Sequence, residues 1–152
     1  MGGKKVFRSI SPEATVEFAK KLAVEYPNAL VLLHGDLGAG KTLFAKGFTF
    51  GLGIEANVSS PSYTLMNEYR GNSTSVYHLD LYRLNCFEEV VDIGLFDILE
   101  SGQPCLIEWA ERVEELEKLA HLAVNISHSE YDLTEESFES REITWEWKEA
   151  KK

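Results

Sequence analysis

Apolar positions along the chain follow two rhythms, one helical and one extended. Ala14, Phe18 and Leu22 recur four residues apart, the spacing of a single helical face. Just ahead stand Ser11, Pro12 and Glu13: a side chain able to cap free N–H groups, a proline suited to the first turn, and an acid at the positive helix end. A helix is predicted from there until Pro27 stops it. Ala29–Leu33 is apolar at every position, as expected of a strand covered on both faces. The four-residue spacing returns at Phe44, Phe48 and Leu52, and Gly51 and Gly53 predict the end of that helix.

Residues 5–10 read as a short edge strand. TLMNEYRG (64–71) and SVYHLDLY (75–82) read as two more, with a turn at Gly71-Asn72 between them. Asn85 with Glu88 resembles a capping box opening a helical stretch that Gly94 breaks. A further strand is expected at 104–107 and a helix at 110–118. Leu122, Val124 and Ile126 alternate in one arm and Ile143, Trp145 and Trp147 in the other, which predicts a closing hairpin around an acidic loop. With no repeat and no linker, residues 1–152 read as one α/β domain: a mostly parallel central sheet flanked by helices, with an antiparallel C-terminal hairpin.

Composition narrows the partners. The 152 residues are 44% hydrophobic and 26% charged, a globular balance that argues against disorder. The formal net charge of −10 argues against surface-wide gripping of nucleic acid and suits a protein partner with a basic patch. The two cysteines, Cys86 and Cys105, read as small buried or half-buried thiols of a reducing compartment. No run is long enough to span a membrane. Val6 stands where an N-myristoylation signal wants serine or threonine, and the first residues lack the apolar stretch of a secretory leader. A cytoplasmic protein is expected.

Between the buried strand and the second helix lies Gly35-Asp36-Leu37-Gly38-Ala39-Gly40-Lys41-Thr42, a full match to the phosphate-binding pattern G-x-x-x-x-G-K-[ST]. Glycines let successive backbone N–H groups turn toward phosphate oxygens, where a side chain would block the approach. The following helix aims its positive end at the same anion. Lys41 is expected to reach the β- and γ-phosphates and Thr42 to bind Mg²⁺. The chain thus reads as a P-loop NTPase fold, with Asp36, Leu37, Gly38, Ala39, Gly40, Lys41, Thr42 and Leu43 as nucleotide contacts. A metal-side carboxylate should stand at the end of a neighbouring strand. Asp80 does so; Asp36 is a rival, although the x positions of such loops mostly supply backbone. Glu108 directly follows another apolar strand and is placed to polarise water or help hold the metal; its other reading is a surface acid opening a loop. In an open parallel sheet ligands sit at the carboxyl ends of strands, where these groups converge.

His78 shares a strand face with Asp80 and reads either as a site residue or as a core histidine bonded to backbone. Trp109 is either core packing or part of the site. Ser60 and Thr64 frame the polar loop 57–63, a position where nucleotide hydrolases place segments that sense the γ-phosphate.

In their order, GDLGAGKT, VSSPSYTLMNEY, HLDLYRL and IEWAER resemble the TsaE (YjeE) family, P-loop ATPases of tRNA threonylcarbamoyladenosine modification. The resemblance covers about Ser11 to Arg112. It implies binding of ATP or ADP with Mg²⁺, slow ATP hydrolysis, and association with a TsaB–TsaD heterodimer that modifies adenosine 37 of tRNA, so that tRNA is met through the complex. It also implies a nucleotide and metal site at Lys41, Thr42, Asp80 and Glu108, with Ser60, Thr64 and Trp109 linked to activity. A small-molecule P-loop kinase is the competing reading. Such kinases close an arginine-bearing lid over the phosphoryl group, whereas Arg8, Arg70, Arg83, Arg112 and Arg141 are scattered. A GTPase lacks support because no N-K-x-D element is present; a nucleotide-gated binding module with negligible turnover is a third reading.

Overall fold

A computed structural model describes residues 3–36, 40–128 and 140–151. The elements run β1 (Lys5–Ser9), α1 (Pro12–Glu25), β2 (Leu30–His34), α2 (Lys41–Gly51), β3 (Met66–Arg70), β4 (Ser75–Asp80), α3 (Phe87–Asp92), α4 (Leu95–Glu100), β5 (Cys105–Glu108), β6 (His121–His128) and β7 (Arg141–Lys148). One seven-stranded sheet has the order β1-β7-β6-β2-β5-β4-β3. Its centre, β6-β2-β5-β4, is parallel. β3 runs antiparallel to β4, and β7 antiparallel to both β6 and β1. The expected mostly parallel centre and closing hairpin are both present; the acidic loop joining the hairpin, 129–139, lies outside the described residues.

Strand alternation divides the interior into two layers. Val31, Leu33, Val76, Leu106, Leu122 and Val124 face α1 and α2. Leu32, Leu79, Cys105 and Ile107 face the opposite way, under Val90 of α3 and Leu95 of α4. The register places Leu33 beside Glu108 and Glu108 beside Asp80. Cα partners in parallel strands point to one side, so both carboxylates stand on the α2 face.

Three local expectations are corrected. Ser11 does cap α1, its hydroxyl accepting from Ala14 N at 3.0 Å. The buried stripe, however, is Thr15, Ala19, Leu22 and Ala23, rotated from Ala14, Phe18 and Leu22. Small residues face α2 because Gly47 and Gly51 bring the helices together there: a Cβ on Gly47 would stand 2.3 Å from Val16 O, and one on Gly51 2.5 Å from Lys20 O. Phe18 instead stacks on Phe7 at 4.5 Å and meets Trp145 at 4.8 Å. The α3 cap sits one residue later than read from the sequence: Glu89, not Glu88, accepts from Asn85 N at 2.8 Å and Cys86 N at 3.2 Å. The helix expected at 110–118 is two 3₁₀ turns, Ala110–Arg112 and Glu114–Lys118. Its buried residues Ala110, Val113 and Leu116 recur every third position, the period of a 3₁₀ helix.

Two predictions follow from this packing. Gly47→Ala gains helix propensity but drives a methyl into the α1 backbone, so the net outcome is a loss of about 1–3 kcal/mol, read from denaturant midpoints; unchanged stability would deny the close helix approach. Burial pushes the Cys105 thiol up to about 12, whereas Cys86, against the expectation of a buried or half-buried thiol, is exposed in the N-cap of α3. A mildly alkaline alkylating reagent should label Cys86 alone in the native protein. The same raised value leaves the contribution of Cys105 to stability complete below about pH 9 and erodes it as pH rises toward 12.

Candidate functional site

The parallel strands β2, β4 and β5 all end on one side of the sheet, and the chain turns there toward α2. Gly40, immediately before α2, has φ 109°, left-handed backbone that favours glycine. Lys41 is therefore the first residue of the helix, at the end where free N–H groups attract anions. It is only 6% exposed. Its Nζ donates to the Gly35 carbonyl at 2.7 Å, stands 3.9 Å from Glu108 Oε1 and lies 4.4 Å from the centre of the Trp109 ring. A buried ammonium needs such company.

The two carboxylates are equally confined, Asp80 at 4% and Glu108 at 3% exposure. Asp80 Oδ1 accepts from Tyr82 N at 2.9 Å. Its Oδ2 accepts from the Ser62 hydroxyl at 3.2 Å and the Ser60 hydroxyl at 3.4 Å. Glu108 Oε2 lies 2.7 Å from His78 Nε2. Beyond Glu108, Trp109 adopts φ 61°, a left-handed conformation costing a non-glycine residue on the order of 1–3 kcal/mol. That sharp turn lays its indole beside Lys41 and 4.8 Å from the Tyr82 ring.

Gly40, Lys41, Thr42, Leu43, Ser60, Ser62, Asp80, Glu108 and Trp109 line a cleft of about 340 Å³. A hollow of about 510 Å³ beside Trp145 and Trp147 is larger, but Lys5, Glu25 and Glu149 there are solvent-exposed, so size does not make it the better site. The cleft gathers eight residues expected from the sequence. Asp36 is exposed and off it. Leu37, Gly38 and Ala39 lie outside the described residues. Thr64 is exposed, its hydroxyl donating to Asn67 Oδ1 at 3.2 Å, and does not line the cleft. Ser62 was not anticipated; its only sequence signal is its place beside Pro61 in a serine-rich loop. Nothing in the sequence announces Tyr69, whose phenol oxygen lies 3.1 Å from His78 Nδ1. Only the β3–β4 register brings the two together.

The donor set consists of hard oxygens: two carboxylates with the hydroxyls of Thr42, Ser60 and Ser62. Among the described residues no three His, Cys, Asp or Glu side chains gather to hold a metal. The set therefore fits a cation such as Mg²⁺, which is shared with phosphate and water ligands more often than enclosed by protein.

Comparison with known proteins gives a consistent result. The family model described as threonylcarbamoyl adenosine biosynthesis protein TsaE matches residues 9–143. A Bacillus subtilis (strain 168) protein named tRNA threonylcarbamoyladenosine biosynthesis protein TsaE is 39% identical over 133 residues, covering 87% of this chain and 83% of its own. A Haemophilus influenzae protein of the same name is 43% identical over 99 residues, 65% of this chain and 63% of its own. The crystal structure of YdiB from Bacillus subtilis superposes with a TM-score of 0.72 at 33% identity, over 95% of this chain and 86% of that one.

The buried pair of His78 and Glu108 yields a stability prediction. His78→Leu leaves Glu108 Oε2 without its donor and should cost about 1–3 kcal/mol in denaturant unfolding. A variant as stable as the parent would show that water or a shifted neighbour replaces the imidazole at no cost.

Proposed function

Because the chain belongs to the TsaE family of threonylcarbamoyl adenosine biosynthesis proteins, we propose that it is a slow, Mg²⁺-dependent ATPase of the cytoplasm. On this reading it serves tRNA threonylcarbamoyladenosine formation at adenosine 37 together with a TsaB–TsaD heterodimer. The observation that supports nucleotide chemistry is the meeting of one buried ammonium and two buried carboxylates at the N-terminus of α2.

Each residue then has a physical task. Lys41 exchanges its bond to Gly35 O for phosphate oxygens, while the N–H groups opening α2 bind the same anion. Thr42 and Asp80 hold Mg²⁺, which when bound neutralises phosphate charge. Glu108 lines the cleft, and its Oε1, the oxygen not engaged by His78, orients the attacking water. Trp109 covers the Lys41 ammonium and restricts water around it. Ser60 and Ser62 bond Asp80, so a nucleotide that draws on Asp80 also moves their loop, and a partner surface reads that movement. The acidic chain meets tRNA through the complex.

Nucleotide titration and phosphate release without any phosphoacceptor test the proposal. Lys41→Ala should abolish tight ATP binding. Asp80→Asn should weaken the Mg²⁺ dependence of binding. Glu108→Gln should keep nucleotide affinity and lose hydrolysis by about a hundredfold or more; normal turnover in that variant would assign Glu108 a peripheral role. TsaB–TsaD should bind the protein loaded with a non-hydrolysable ATP analogue more tightly than the ADP form. Equal affinities would mean that the nucleotide does not gate the complex.

A further inference from the structure

His78 occupies the middle of β4, fully buried, on the face that carries Asp80. A histidine in such a place is usually satisfied by backbone or water. Here both ring nitrogens are engaged by side chains: Nε2 with Glu108 Oε2 at 2.7 Å and Nδ1 with the Tyr69 hydroxyl at 3.1 Å. An ionised carboxylate only accepts, so Nε2 carries the hydrogen that joins it to Glu108. In the neutral ring Nδ1 then accepts from Tyr69, whose single hydrogen is shared with the Ser59 carbonyl 3.0 Å away. This arrangement leaves no polar atom of the imidazole wanting, and it fixes which carboxylate oxygen faces the cleft.

The far end of the same chain is equally specific. Ser59 N donates to the Tyr69 oxygen at 3.4 Å. Asn67 Nδ2 donates to the Ser59 carbonyl at 3.2 Å and lies 3.4 Å from the Tyr69 oxygen. Ser59 adjoins Ser60, which bonds Asp80 with Ser62. One short segment is thus tied to both carboxylates, to Asp80 directly and to Glu108 through two buried side chains.

We propose that His78 is the positioning residue for Glu108, and that Tyr69 and His78 together couple Glu108 to the segment 59–62 beside the cleft. The proposal rests on the reading of Glu108 as the acid that orients water. Tyr69 does not line the cleft, so its hydroxyl acts on the reaction through its neighbours His78, Ser59 and Asn67 and not by direct contact. A shift of the segment changes the aim of Glu108 at the moment it changes the partners of Asp80. Hydrolysis is thereby conditional on the state of the loop.

Tyr69→Phe in the full chain is the test, because it removes one hydroxyl and keeps the ring. Its hydrolysis rate should fall about tenfold with nucleotide affinity and melting temperature little changed. In combination with Glu108→Gln it should cause no further loss. Independently of turnover, ¹⁵N imidazole spectra should show His78 with a protonated Nε2 and a hydrogen-bonded, bare Nδ1. A non-hydrolysable ATP analogue should move both signals in the parent, and in Tyr69→Phe it should no longer move that of Nδ1. Normal hydrolysis by Glu108→Gln overturns the role of Glu108 itself. If Glu108→Gln is inactive while Tyr69→Phe keeps the parent rate, the coupling is overturned and the nucleotide reading stands. Equal losses of rate, affinity and melting temperature in Tyr69→Phe would make the relay structural only. Should the parent show no turnover, imidazole signals indifferent to both nucleotide and Tyr69→Phe overturn the coupling.

Discussion

The structure depends on the register of three parallel strands. β2, β5 and β4 align Leu33, Glu108 and Asp80 in one row, at the level where each strand gives way to a turn. A slip of one residue would carry every side chain of a strand to the opposite face. Glu108 would then lie among the apolar residues under α3 and α4, and Lys41 would lose its counter-charge. The register is held by the apolar rows beneath, Val31 with Leu106 and Leu106 with His78, so the chemistry of the cleft is fixed by packing several ångströms below it. Charges this buried persist only where geometry provides partners, and the row provides them.

Much of this was legible in the sequence where one physical cause dominates. A glycine-rich turn between a wholly apolar strand and a helix has few uses, and Lys41, Thr42, Asp80 and Glu108 each end a strand or open a helix. Less could be read where several causes compete. The spacing of large apolar residues does not mark the buried face of α1, because two glycines of another helix admit the small side chains of Ala19 and Ala23 and turn the aromatic aside. The segment after Trp109 reads as an α-helix although it forms 3₁₀ turns, because charged residues suit either type and only the three-residue spacing of its buried positions separates them. Thr64 and Ser62 differ by two positions in one polar loop, and no periodicity distinguishes a hydroxyl facing the cleft from one facing Asn67. Tyr69 was invisible for a deeper reason: its importance lies in a pairing between strands.

The contacts of the cleft also form one connected set. Lys41 stands by Glu108, Glu108 by His78, His78 by Tyr69, Tyr69 by Ser59, and Ser60 by Asp80. In such a network no member moves without changing the partners of the next. The cation beside Glu108 and the hydroxyls beside Asp80 therefore belong to a single arrangement with few alternatives.

β3 is joined to the sheet along one side only, at the margin of the strand order, and its five residues are the sole strand between the loop and the stiff parallel centre. A frame of this kind has a gradient of compliance. Central strands resist displacement because two neighbours hold each of them, while a marginal strand yields after breaking fewer bonds. Motion that begins at the cleft is thus channelled outward, along β3 and its preceding loop, and the parallel strands act as the fixed wall against which it works. The mechanical asymmetry gives the molecule a direction: the cleft's carboxylates are anchored in the parallel strands, and the margin is the part held by fewer bonds.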